Sequence, residues 1–147
     1  MTAIWKVEDL LEDAFDAVIS AASISGLSTC KTFTDKLPSM PYCAILALDS
    51  DKLIPDANYG DCENRSVTVT LRISGHSQDM TRDQYAELVG NVMDSIYTDT
   101  VVSDLNTAAS GITIQRIEFG KINRGVTDHS FDTTIQIMVD VFPSTET

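Results

Sequence analysis

The clearest hydrophobic pattern in the chain runs from Asn64 to Tyr97, where a strand, a polar turn and an amphipathic helix follow one another. Between Arg65 and Ser74 apolar and polar residues alternate, which is the pattern of a half-buried strand. After the turn, Thr81 and Gln84 have the spacing of a capping box, so a helix is predicted to start at about Arg82. Apolar residues then recur every three or four positions, and this side of the helix is predicted to cover the apolar face of the strand.

The N-terminal stretch from Ile4 to Ala22 has the same helical period, with acidic residues on its opposite side. Gly26 is suited to a left-handed exit from this helix, because glycine has no Cβ that would be strained there. A short strand is predicted over Ser28 to Thr34, followed by a loop that contains two prolines. The nearly continuous apolar run from Tyr42 to Leu48 then predicts an interior strand.

The next stretch, Asp49 to Asn64, contains turn-forming and acidic residues but no sustained period, and it is predicted to be a long loop. Loops of this length inside a compact domain are commonly functional, because they contribute little to the core. We therefore interpret the loop as a candidate contact surface. Its candidate contact residues are the acids Asp49, Asp51, Asp61 and Glu63.

The C-terminal part of the chain predicts a β-hairpin, preceded by a short helical turn around Val101 to Leu105. In the strand from Ile112 to Ile122 the apolar positions change parity, which indicates a β-bulge near Gln115–Arg116. The segment Gly120 to Gly125 is predicted to connect this strand to a last one, Phe131 to Phe142, whose apolar residues alternate cleanly.

The predicted order is helix, three strands, helix, two strands (α-β-β-β-α-β-β). It indicates an α+β fold, a mainly antiparallel sheet with two helices packed on one face. Residues 1–142 are predicted to form this single domain, which at such a length can bury roughly 70% of its unfolded surface. Residues 143–147 are predicted to be a flexible C-terminal tail.

The net charge of the chain says more about its possible partners than its composition does. Twenty-two Asp and Glu residues against ten Lys and Arg give a net charge of -12. This excess argues against duplex-DNA binding by phosphate neutralisation and favours solubility and repulsion between monomers. Residues 1–22 lack the basic region of a signal peptide, and no apolar run approaches the roughly 20 residues that span a bilayer. No membrane partner is predicted.

No motif in the chain matches a catalytic or metal-binding signature. Gly26 to Thr32 ends like a phosphate-binding loop but lacks its glycines, and a helix precedes it instead of following it. His76 and His129 have no further ligand at the spacing of a metal site, so no zinc is predicted. The carboxylate pairs of the long loop could at most form a weak calcium site, because the EF-hand frame is absent. We therefore predict a protein that is not an enzyme and holds no cofactor or metal.

Three cysteines, Cys30, Cys43 and Cys62, are odd in number and have no metal-like spacing. This usage fits a reducing compartment. We interpret all three as small core or surface residues.

The scarce basic residues gather at one place: Arg116, Lys121 and Arg124 all fall in the predicted final hairpin. A positive projection on an acidic molecule suits self-association, because it can meet an acidic surface of an identical subunit. Such a contact is heterologous and can close into a ring. The alternative is a hairpin whose charges are simply solvated. The three residues are the candidate subunit-interface residues.

The order and pattern of elements extend over nearly the whole chain. They comprise the acidic helix Val7–Ala22 leading to Gly26–Leu27, the segment Leu37–Tyr42 before an apolar strand, the strand Arg65–Leu71, the helix Asp83–Tyr97, and the pair Ile112–Phe119 and Thr133–Phe142. In this order the chain resembles the small tail-terminator, or tail-completion, proteins of long-tailed bacteriophages. The likeness is one of pattern, without a diagnostic motif.

The resemblance implies a structural virion protein that forms a hexameric ring on the head-proximal end of the tail tube. The ring would stop tube growth and provide the surface for head–tail joining. Its implied partners are copies of itself, the tail tube protein and the head connector or neck protein. DNA would pass through the lumen without specific binding, and the ring would be assembled in the host cytoplasm.

Two alternatives stay open. One is another ring protein of the neck or head–tail connector, since such proteins have a similar size and mix of elements. The other is a small α+β domain that binds a ligand or a partner peptide.

Overall fold

A computed structural model describes residues 4–24, 26–31, 41–53, 65–109, 111–126 and 130–143, and these ranges contain five strands and three helices. The elements are α1 (Ile4–Ala21), β1 (Ser28–Lys31), β2 (Tyr42–Leu53), β3 (Arg65–His76), α2 (Arg82–Ile96), α3 (Val101–Ala108), β4 (Ile112–Val126) and β5 (Ser130–Pro143). The strands form one sheet in the order β1-β2-β3-β5-β4. The β1–β2 pair is parallel and the other pairs are antiparallel. The predicted α+β class is confirmed.

Strand β3 lies at the centre of the sheet, and its apolar side chains belong to the hydrophobic core. It is paired with β2 on one side and, from Arg65 opposite Val141 to His76 opposite Ser130, with β5 on the other. Its alternate apolar side chains are fully buried, whereas the side chain of Arg72 between them is exposed. Buried residues of all three helices belong to the same core. The helices therefore cover one face of the sheet, as predicted.

Helix α2 begins where the sequence predicts it. The Gln84 backbone N–H donates to Thr81 Oγ1 at 3.2 Å, and the Thr81 N–H donates to Gln84 Oε1 at 2.9 Å. This capping box satisfies two of the backbone donors that a helix start leaves unpaired. Five side chains of the predicted apolar stripe are buried, namely Tyr85, Leu88, Val89, Val92 and Ile96.

The predicted loop from Asp49 is wrong in its first part, because β2 continues to Leu53. Asp49 lies opposite Val67 and Leu53 lies opposite Arg65, with a register shift between them. Pairing with β3 supplies backbone hydrogen bonds that turn-forming residues would otherwise have to satisfy locally. The remainder of the predicted loop, residues 54–64, lies outside the described residues.

The predicted connection Gly120–Gly125 is also wrong, because these residues continue β4 to Val126. The register of β4 on β5 shifts twice, between Ile114 and Arg116 and again between Phe119 and Ile122. The first shift confirms the predicted bulge. The second absorbs one extra residue and lets the strand go on pairing, so the predicted hairpin is confirmed but is longer than its sequence suggests.

The other boundaries differ by smaller amounts. Gly26 has φ 77°, which confirms the left-handed conformation predicted for it. Helix α3 extends the predicted single turn to eight residues. Residues 32–34 of the first predicted strand and residues 144–147 of the predicted tail lie outside the described residues, and Pro143 is the last residue of β5.

One acid of α1 is buried, although its position in the sequence suggests a wet surface. Glu12 is 2% exposed, and its Oε2 accepts the backbone N–H of Ala47 at 2.9 Å. Ala47 lies two residues beyond Ile45, which is the last β2 residue that pairs with β1 among the residues that the structure describes. The carboxyl group thus satisfies a strand donor that β1 does not reach. Burial raises the pKa of Glu12, while the Ala47 hydrogen bond and the charge of Lys31 act to lower it.

We expect Glu12→Gln to make stability less dependent on pH. Because the folded chain holds the Glu12 proton more tightly than the unfolded chain, the wild-type free energy of unfolding falls as the pH rises from 4.5 through the raised pKa. The amide of Gln can still accept from Ala47. Denaturant titrations between pH 4.5 and pH 7.5 should show the variant gaining on the wild type as the pH rises. The exposed Glu87→Gln is the control, and a constant difference across this range would contradict the assignment.

Candidate functional site

Within the sheet as described, β1 and β4 are the two edge strands, and β4 is much the longer one. An edge strand presents backbone donors and acceptors that no neighbouring strand satisfies. The outer half of β4, from Lys121 to Val126, is exposed at every residue. This edge is therefore available for contact with another chain.

The three predicted interface residues all lie exposed on β4, but they do not share one face. Arg116 is opposite Asp140, on the face without helices, and its guanidinium is 3.5 Å from Glu118 Oε2. Arg124 is opposite the buried Thr133, on the helix-covered face. Lys121 lies within the second register shift. We call these three residues the basic edge, whose charge is distributed around the strand.

A groove of about 270 Å³ lies between α2 and the outer half of β4, and we call it the α2–β4 groove. Its lining includes the rings of Tyr85 and Phe131, which stack with 5.0 Å between centroids. On the β4 side the apolar residues Ile122 and Val126 are 47% and 72% exposed. An apolar surface of this kind, left open to water, is a typical docking site.

Two arginines, Arg82 at the start of α2 and Arg124 on β4, are among the lining residues of the α2–β4 groove. The local pattern gives no sign of this groove, because Ile122 and Val126 fall in and just beyond a stretch that resembles a polar connection. Only the apolar periodicity of α2 indicates the residues that this helix contributes to the groove.

The hydroxyl of Tyr85 fixes the groove to the core. It lies 2.8 Å from the carbonyl oxygen of Ile73, to which it donates, and 2.7 Å from Thr133 Oγ1. These bonds join α2 to both β3 and β5. Burial raises the pKa of Tyr85, so the group stays a neutral phenol.

The opposite edge of the sheet is acidic. Asp9, Asp13 and Asp16 form one stripe of α1 that lies beside β1, and we call this stripe the acidic edge. The ammonium of Lys31 donates to Asp9 and, at 2.8 Å, to Asp13, whereas Asp16 accepts from Thr29. Burial opposes the charge of Lys31, but Asp13 and Asp9 raise its pKa above the ordinary value. One cation therefore holds two carboxylates, and both remain about half exposed to solvent.

The predicted acidic contact residues are only partly described. Asp49 and Asp51 lie in β2 rather than in a loop, while Asp61 and Glu63 lie outside the described residues. Their role as a contact surface stays a prediction.

Among the residues that the structure describes, no group of three or more His, Cys, Asp or Glu side chains could hold a metal ion. Within the same ranges, no helix is long and apolar enough to cross a membrane. Cys30 and Cys43 are buried, and burial raises the pKa of the Cys43 thiol to about 12. These two cysteines are core residues, which is one of the two placements predicted for them. Cys62 lies outside the described residues.

Comparison with known proteins shows which solved structure has a similar fold. No family model and no curated protein matches the sequence. Among solved structures, the chain is similar to one from the virion of a native gene transfer agent particle, with a TM-score of 0.58 and 11% identity. The match covers 97% of this chain and 99% of that chain. The two chains share one fold over almost their entire lengths.

We expect Tyr85→Phe to lower the free energy of unfolding by about 1–3 kcal/mol, since it leaves the buried Ile73 carbonyl and the Thr133 hydroxyl without their partner. Tyr97→Phe is the matched control, because Tyr97 is 67% exposed and its ring packs edge-on against Phe119. Urea titration of both variants measures the difference. Equal stabilities would show that the hydroxyl of Tyr85 contributes nothing.

Proposed function

We propose that this chain is a structural virion protein that forms a hexameric ring on the head-proximal end of a phage tail tube. The ring ends tube growth and provides the surface for head–tail joining. The observation that carries this proposal is the fold shared over 97% of the chain with a chain from a phage-like virion particle.

The surface of the molecule supports assembly with other copies and with virion proteins. The exposed edge strand β4 carries the basic edge, whereas the chain as a whole has a net charge of -12. Opposite charges on different surfaces of one subunit favour a head-to-tail arrangement, which can close into a ring. The proposed partners are the tail tube protein and the head connector.

The same charge supports the proposed passage of DNA. A lumen lined by an acidic protein repels the phosphate backbone, so DNA moves through it without being retained. The chain accordingly acts by assembly in the virion and not by catalysis.

Another ring of the neck is the second candidate, because the shared virion fold supports it equally. A binding domain for a small ligand or peptide is the third, and the α2–β4 groove is the feature that favours it.

The test is the native mass of the purified protein across concentrations, with negative-stain images of the largest species. We expect rings of about six subunits, alone or on the ends of added tail tubes, because ring closure satisfies every heterologous contact. A protein that stays monomeric at high concentration and leaves tail tubes unbound would overturn the proposal. Rings that bind the connector but not the tube would favour the second candidate.

A triple charge reversal tests the basic edge. We expect Arg116→Glu, Lys121→Glu and Arg124→Glu together to weaken ring formation, because they replace attraction to an acidic neighbour by repulsion. All three side chains are exposed, so the monomer should fold normally. Sedimentation velocity measures the ring content, and circular dichroism checks the fold. An unchanged ring content in the folded variant would remove the basic edge from the interface.

A further inference from the structure

The α2–β4 groove is an apolar surface with charges on its rim. Ile122 and Val126 leave about half or more of their surface in water, although Tyr85 and Phe131 beneath them are buried. Burying such side chains against a partner is favourable, because it removes apolar area from water. Arg82 and Arg124 add positive charge to the lining, and the carboxylate of Asp132, which also lines the groove, already accepts from the Ser74 hydroxyl at 2.6 Å.

The charged residues that line the α2–β4 groove indicate which kind of partner surface it can bind. An acidic protein surface can place carboxylates against Arg82 and Arg124, and a guanidinium holds a carboxylate through two parallel hydrogen bonds. A second copy of this chain supplies such a surface, since acids outnumber basic residues 22 to 10. The groove is also continuous with the basic edge, which contributes Arg124 to it.

The sheet topology indicates which surface of the second copy we expect in the α2–β4 groove. The acidic edge lies on α1 beside β1, and β1 and β4 are opposite ends of the strand order. Four strand spacings of about 4.8 Å place them roughly 19 Å apart. Asp9 and Asp13 share one lysine and remain 43% and 54% exposed, so the acidic edge keeps a net negative charge and can accept further donors.

We propose that the α2–β4 groove of one subunit binds the acidic edge of the next copy, with Arg124 and Arg82 donating to carboxylates of α1. This inference rests on the proposed function and names its subunit contact. The two surfaces differ and lie at opposite edges of the sheet, so each subunit offers one to each neighbour. Such a heterologous contact builds a closed ring when its rotation closes.

The test is a charge exchange across the contact. Arg124→Glu and, separately, Asp13→Arg each place like charges together and should weaken self-association about tenfold, whereas the combination should restore it. Sedimentation velocity over a range of concentrations gives the association constant. Asn91→Asp with Ser103→Asp is the matched control, since it adds the same net charge as Arg124→Glu at exposed helix positions and should leave rings unchanged.

The outcomes separate this inference from the function it rests on. The proposed contact would be overturned if each single variant formed rings as well as the wild type does. It would also be overturned if the combined variant showed no recovery of self-association. Either result would leave the ring itself in place. A wild type that forms no ring, alone or on tail tubes, would overturn both. Binding of a small ligand in the groove without an effect on self-association would assign the groove to another occupant.

Discussion

The apolar side of β3 is the constraint on which the rest of the structure depends. Val67, Val69, Leu71 and Ile73 have no exposed surface, and they meet the helices on one side of a strand that is paired at both edges. Because side chains alternate across a strand, a shift of one residue would move all four to the open face. The register of β3 on β2 and β5 therefore determines which side chains of the sheet face the helices and which lie on the open face.

Local signals are sufficient for much of this fold. The alternation in β3, the capping box of Thr81 and Gln84, and the change of parity near Gln115 each arise from residues close together in sequence. Each also acts through a mechanism that needs no distant partner to be recognised. The α+β class follows from them.

The two wrong predictions, a loop from Asp49 and a connection over Gly120–Gly125, have a common physical origin in strand pairing. The ends of β2 and β4 contain glycine, asparagine and acids, which favour turns on their own. In the folded chain β3 and β5 provide a ladder for them, and the tertiary contact prevails over the local preference. The site shows the same effect. The clustering of Arg116 and Arg124 in sequence is real, but pairing with β5 directs them to different faces, and Arg82 joins Arg124 only through packing.

The second register shift in β4 also affects what the edge can do as a template. It separates two short regular runs, Arg116–Phe119 and Ile122–Val126, by an irregular step. A strand from another molecule that added to this edge would lose its alignment after a few residues, so edge-to-edge pairing of the amyloid kind gains little there. The irregularity therefore makes this exposed edge a poorer site for the addition of a foreign strand.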